Sequence, residues 1–536
     1  MLADEVSPGL AIVILAVLLA FRYLVYPTLL SPLAQIPNAH WSSPISRLWI
    51  LGIRYTRREN RTLHALHRRL GPVIRVGPNE LSIDGIDSVR TVYQGGFEKP
   101  DWYSVFDNYG YLNLVPCMFS TGPAAEHSAR KRFISNIYSK SYIQSSQSAS
   151  AQSREILYGR LLPQLQDSTS EMQAPHDTDM YSVFMATTMD FIAAYIFGLE
   201  NGTNFLQDKA FSDHFLEHYK ARSDFSFFDQ ELPQLAWFCR EIGIPFWTVD
   251  AANKELGDWC MRLCDVTKKA STMNSPSAIE SCDKPVVWNA LVGGLAKEKK
   301  TSGSSSVLYP TALTNFDLSV ASELFDHVLA GQETAGITLS YISWRLSQSI
   351  DLQADLRAEL LSLAPNMRLD QDRPASMPDP KQLDALPLLH AVVMETLRLH
   401  APIPGYQPRE TPELPCQIGP YVVPGGVRIA ASAYSLHRDE KVFPKPEVWD
   451  HTRWLTSAGD EEERKKRNRQ FWAFSSGGRM CVGSNFAMHE MKLTIAAIYS
   501  NYTSHIVDDA GMAEQSDGYT GRPAYERLFL RFERVV

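Results

Sequence analysis

The chain has 536 residues, of which 44% are hydrophobic and 21% charged, and its formal net charge is −8. This balance is that of a globular protein with a large core, and it excludes a general affinity for nucleic acid. Seven scattered cysteines, an odd number, make no disulfide framework and fit a reducing compartment.

At the N-terminus, Leu10 to Phe21 is continuously apolar, and apolar character resumes at Tyr23 to Tyr26 beyond Arg22. Extended through Val25, with Arg22 snorkelling, the run is long enough to cross a bilayer. It lacks the basic leader and A-x-A-like site of a cleaved signal peptide. Asp4 and Glu5 precede it, and Arg22, Arg47, Arg54, Arg57 and Arg58 follow, which puts the body on the cytoplasmic side. Pro27, Pro32, Pro37 and Pro44 then predict a stiff, non-helical connector. The chain thus divides into a membrane anchor (1–26), a proline-rich hinge (27–45) and one body (46–536). Sequons at Asn60, Asn201 and Asn501 are expected to stay unmodified in a cytosolic body.

Within the body, Arg57 to Leu70 predicts an amphipathic helix. Two short strands joined at Gly77-Pro78 follow. Glu126 to Tyr142 predicts a helix with His127, Lys131 and Arg132 on or near one face. Taken alone, it reads as a solvated basic helix. The stretch from Tyr181 to Lys300 is helix-rich. Cys260 and Cys264, four apart, read as buried or half-buried thiols, because no second pair follows at zinc spacing. His214-Phe-Leu-Glu217-His218 matches the H-x-x-E-H pattern of a zinc protease class. The spacing puts both histidines on one helical face, but the sequence identifies no third ligand, and so short a pattern matches often by chance.

Phe316 to Leu346 predicts a long buried helix. Gly331 and Gly336 each cost roughly 1 kcal/mol inside it, so a reason is wanted. In Ala330-Gly331-Gln332-Glu333-Thr334, small residues would open a groove for a diatomic ligand, and Glu333 and Thr334 would relay protons. The plain alternative is close helix packing with a solvent-facing Glu333. Leu386 to His400 predicts another helix, with Glu395 and Arg398 paired on one face. Arg464 to Arg469 is a basic run, ordinarily solvated surface.

Phe474, Gly477, Arg479, Cys481 and Gly483 are spaced F-x-x-G-x-R-x-C-x-G. Each type has a task if Cys481 ligates a haem iron. A thiolate pushes electron density onto iron. Glycines bring backbone N–H groups close to the sulfur, Phe474 excludes water, and Arg479 can pair with a cofactor carboxylate. A helix beginning near Asn485 would aim its N-terminus at the sulfur.

This loop resembles the cysteine-ligand loop of the cytochrome P450 family, and the connector stretches Ser31–Trp49 and Ser135–Ser141 look most like those of filamentous-fungal members. Ala330–Thr334, Glu395–Arg398 and Phe443–Trp454 resemble other P450 motifs in the expected order, and the anchor and hinge resemble those of microsomal members. The resemblance implies a mainly α fold with small β-sheets, the P450 fold, preceded by one transmembrane helix. It implies haem b held by Cys481 as the axial iron ligand, with Phe474, Gly477 and Arg479 beside it. Arg409, His127 and Lys131 match positions that reach haem propionates, and His437 or Arg438 lie where the family reaches the haem face. Glu333 and Thr334 become the catalytic acid–alcohol pair. Arg453 completes a structural triad with Glu395 and Arg398.

The implied reaction is monooxygenation of a lipophilic small molecule, in fungal secondary metabolism. Electrons would come from NADPH through a cytochrome P450 reductase, with cytochrome b5 as a further donor. The implied site is the endoplasmic reticulum membrane. The basic run would steer the acidic donor. Rival readings are a reductase-independent haem-thiolate isomerase or dehydratase, and a non-enzymatic haem-binding protein. Substrate choice is expected from Trp102–Met118, the Tyr181–Trp247 helices and the strand after Arg398.

Overall fold

A computed structural model describes residues 8–109, 115–168, 178–224, 226–244, 247–273, 279–369, 376–455 and 459–535. The acidic flank Asp4–Glu5 and residues 110–114 of the predicted specificity segment lie outside them. Pro8–Ala20 is α-helical, and Phe21–Leu30 continues it in wider π-type turns. Everything from residue 8 to Tyr26 is exposed. At ~1.5 Å per residue this 23-residue helix is long enough for a hydrocarbon core of about 30 Å. Its C-terminal end corrects the predicted hinge boundary, because Pro27 lies inside the helix. The wide turn accommodates a ring that would clash in a regular helix, and Arg75 donates to the Pro27 carbonyl at 2.7 Å. The connector begins only at Ser31, and it opens with a short 3-10 helix, Pro32–Gln35, capped by Ser31, which corrects the expectation of a wholly non-helical hinge.

In the body, Met180–Phe197 is apolar and almost wholly buried. It packs along the 32-residue central helix, Phe316–Ser347. The glycines make this approach possible. A Cβ on Gly331 would lie 2.6 Å from Ile192 Cγ1, and one on Gly336 2.8 Å from Met185 Sδ. Their small size therefore serves helix packing, which corrects the predicted groove at Gly331.

The first predicted hairpin forms from Val73–Gly77 and Glu80–Ile83. It extends into a four-stranded sheet through Arg428–Ala430, parallel to Glu80–Ile83, and then Arg409–Glu410. Thr178–Asp179, Phe529–Arg534 and Tyr502–Asp508 form a second sheet. Cys416–Ile418 and Tyr421–Val423 form a short hairpin.

The predicted basic helix divides in two. Ala124–Ile134 ends early, and Lys140–Ser145 starts afresh with Ser139 as its N-cap. Asn60 and Asn501 are buried, which closes those two sequons to modification. All seven cysteines are free, and Cys260 and Cys264 are buried.

Candidate active site

The cysteine loop is held by contacts that its residue types dictate. Gly477 has φ 73°, and a Cβ there would lie 2.1 Å from the Tyr93 carbonyl oxygen, so only glycine fits. Cys481 N–H donates to the Phe474 carbonyl at 3.0 Å. The loop leads into Ser484–Tyr499, whose first turn lies against the sulfur. Cys481 keeps accessible surface, although protein encloses its sulfur. Burial pushes its thiol up, while the Gly483 and Ser484 N–H groups and the Lys131 ammonium pull it back. Lys131 donates to the carbonyls of Gly478 at 2.8 Å and Met480 at 3.2 Å. It thus clamps the cysteine loop.

Behind the loop, Arg398 makes a two-pronged pair with Glu395, both contacts 2.8 Å, and both side chains are fully buried. Arg398 also donates to the carbonyls of His437, Pro446 and Val448. Arg453 approaches Glu395 at 3.4 Å. Trp454 Nε1–H and the Asp450 N–H, both 2.9 Å away, complete the carboxylate's partners.

His437 joins this cluster to the cysteine loop. Its Nδ1 meets the Arg398 carbonyl at 2.8 Å, and its Nε2 accepts from Trp472 N–H at 2.8 Å. Arg438 turns to Glu447 and the Leu399 carbonyl. These contacts correct the expectation that His437 or Arg438 reaches the cofactor face.

Burial, with Arg398 beside it, pushes the His437 pKa down from 6.5 to about 3. Between those values the unfolded chain binds the proton more readily, so stability falls as pH drops through that window. At about pH 4.5 the loss from this group approaches ~2.7 kcal/mol. Urea midpoints between about pH 7 and 4.5 should therefore fall more steeply for wild type than for His437→Gln. Equal slopes would refute a neutral, buried His437.

Three more basic side chains and the neutral imidazole of His127 converge beside the cysteine loop. Lys99 donates to the Phe119 carbonyl and lies over the Tyr103 and Phe119 rings. Arg409 donates to Tyr103 Oη at 3.0 Å. Arg479 donates to the carbonyls of Thr121, at 2.6 Å, and Gly122. His127 is buried on Ala124–Ile134. Among the described residues, none of these four forms an ion pair with a carboxylate. They repel one another in consequence. Burial, then Arg479, Lys99, Lys131 and Arg409, push His127 down to about 3. Burial and Arg409 push Arg479 down to about 10. Lys99 lies well below its usual value, through burial, Arg409 and Arg479. Lys99 was not legible beforehand, because it has neither helical period nor motif and joins the cluster only through tertiary packing.

Ala330 is exposed in the middle of the otherwise buried central helix. It lines a cavity of about 350 Å³ with Trp102, Phe106, Asp326, Glu333 and Thr334. Burial pushes Asp326 up to about 6. Thr334 Oγ1 donates to the Ala330 carbonyl at 2.8 Å. Glu333 is buried and faces no solvent. It accepts from Tyr219 Oη at 2.6 Å, Thr520 Oγ1 at 3.0 Å and Arg522 Nε. The sequence named neither Tyr219 nor Arg522. At the mouth, Glu231 accepts from Arg47 at 2.6 Å, Arg428 at 2.8 Å and Trp102 Nε1 at 2.9 Å, which draws the short helix Ser226–Glu231 over the opening.

Haem carries two carboxylates and takes a soft axial donor. A basic cluster without its own carboxylates, next to a cysteine with accessible surface, fits that group. Fold and donor set are those of a haem-thiolate protein. The family model for cytochrome P450 matches residues 43–519. A cytochrome P450 monooxygenase of Aspergillus versicolor, avaI, is 29% identical over 438 residues, covering 79% of this chain and 93% of its own. One of Aspergillus niger, orf2, is 24% identical over 511 residues, covering 93% and 92%. Tryprostatin B 6-hydroxylase of Aspergillus fumigatus is 25% identical over 508 residues, covering 94% and 80%. The chain belongs to the cytochrome P450 family and is a monooxygenase of the fungal kind.

Proposed function

We propose that the protein is a membrane-anchored haem-thiolate monooxygenase that inserts one atom of O₂ into a lipophilic small molecule of fungal secondary metabolism. The carboxylate-free cluster of Lys99, His127, Arg409 and Arg479 beside Cys481 carries this reading. Haem, when bound, supplies O₂ activation by stepwise electron transfer. Cys481 would supply the thiolate that ligates its iron. Phe474, the Gly483 and Ser484 N–H groups and Lys131 keep that sulfur dry and anionic. Arg409, Arg479, Lys99 and His127 would hold the haem's two carboxylates. Thr334 presents a hydroxyl to the cavity, and Glu333 fixes the polar wall beside it. Trp102 and Phe106 give the pocket an apolar side.

Electrons come from NADPH through a reductase, with cytochrome b5 as a second donor. The helix Glu461–Gln470 carries the basic run on the thiolate side. Three glutamates open that helix, and Lys465 pairs with two of them, so steering rests on the exposed Lys466 and Arg469. The helix through Leu30 anchors the chain in the endoplasmic reticulum, a connector follows, and the catalytic body from residue 46 lies in the cytoplasm.

The test is the reduced difference spectrum with and without CO. Wild type should give a strongly red-shifted Soret band, and Cys481→Ala should lose it. Haem binding without that band in wild type would overturn Cys481 as ligand.

A further inference from the structure

Outside the active site, the H-x-x-E-H stretch has acquired a third donor. His214 and His218 lie one turn apart on Lys209–Asp224, with ring centroids 4.3 Å apart. Glu255, on the neighbouring helix Trp247–Met273, reaches both. Its Oε1 is 2.5 Å from His214 Nε2, and its Oε2 is 2.9 Å from His218 Nε2. The donor atoms all lie within 4.8 Å of one another. Glu217 is exposed and takes no part, so the arrangement is not that of a metalloprotease helix.

The hydrogen bonding orients the donors. His218 Nδ1 is 2.9 Å from the backbone carbonyl of His214, a pure acceptor. In the neutral ring the proton therefore sits on Nδ1, and the Nε2 lone pair points at a carboxylate oxygen. A cation bridges two such lone pairs, and a backbone carbonyl on the far nitrogen is how metal-ligating histidines are commonly oriented. Two imidazole nitrogens and a carboxylate are a zinc donor set, and the partly exposed position leaves the remaining site to water.

We propose that His214, His218 and Glu255 bind one divalent transition-metal ion of the zinc class, which cross-links the helices Lys209–Asp224 and Trp247–Met273. Tyr219, next to His218, is the residue that donates to Glu333 in the cavity wall. The ion would therefore fasten the helix that closes one side of the substrate cavity.

The test is Zn²⁺ titration of the tag-free, full-length, haem-loaded protein in detergent, in competition with a chromophoric chelator. Wild type should bind one equivalent. His218→Ala and Glu255→Gln should each weaken it by about tenfold or more. Cys282→Ser, in the separate group Glu280–Cys282–Asp283, should leave it unchanged. Zn²⁺ should raise the melting temperature of wild type but not of the first two variants, with far-UV circular dichroism confirming their fold. Absence of a bound equivalent in folded wild type, or equal affinity in wild type, His218→Ala and Glu255→Gln, would overturn the site.

Discussion

Arg398→Ala should give a protein that retains little or no haem. The guanidinium is fully buried and joins Glu395 to three backbone carbonyls from the segment that runs toward the cysteine loop. Removing it leaves a buried carboxylate with Arg453 only at 3.4 Å, and breaking such a pair costs about 3–5 kcal/mol. That is a large part of the ~5–15 kcal/mol by which folded proteins exceed their unfolded states. The damage also falls where it matters, since His437 bridges Arg398 to the Trp472 N–H.

Arg398→Lys should rescue little, because an ammonium is a point charge and cannot reproduce the fork. Arg453→Ala should be far milder, costing on the order of 1 kcal/mol, because its ordinary hydrogen bond is to the Lys445 carbonyl at 3.1 Å. Soret-to-protein absorbance ratios and urea midpoints of the three variants would rank them. A haem-replete Arg398→Lys would contradict the geometry.

What could be read beforehand was whatever the chain encodes locally. Gly477, Arg479 and Cys481 fall within one turn-rich loop, and their spacing carries their chemistry. The anchor and the buried central helix are likewise continuous runs. What could not be read was set by packing between distant segments. Gly331 looked like a groove because sequence does not show that Ile192 fills the space beside it. Lys131 stood at a cofactor-facing position, yet its ammonium meets two loop carbonyls. Lys99, Glu231 and Arg522 carry no motif and gain their surroundings only when strands, lid and C-terminal loop come together. Pro27 looked like a helix breaker, but a wide turn absorbs it.

Thr334→Ala should raise hydrogen peroxide formed per NADPH consumed, with reductase present, while leaving stability within about 1 kcal/mol of wild type. Its hydroxyl makes one hydrogen bond, to the Ala330 carbonyl, so its loss removes the proposed proton carrier from the cavity without stranding a charge. A positioned proton transfer is worth about 10²–10⁴-fold, and product formation should fall toward that scale.

Glu333 is a different case. Both of its oxygens are occupied, Oε2 by Tyr219 and Oε1 by Thr520 and Arg522. Burial and Glu333 hold the Tyr219 hydroxyl well above its ordinary pKa, so it stays protonated and acts as donor. Glu333→Gln would leave the Arg522 guanidinium with only Glu526, at 3.5 Å, as counter-charge, at a cost of about 3 kcal/mol, the low end for a broken buried pair. Adding Arg522→Gln removes the stranded charge, and the double variant should recover most of that stability. It should not recover the ratio of product to peroxide if the carboxylate belongs to the proton path. Recovery of both would reduce Glu333 to a scaffold for the cavity wall and leave Thr334 as the residue through which protons pass.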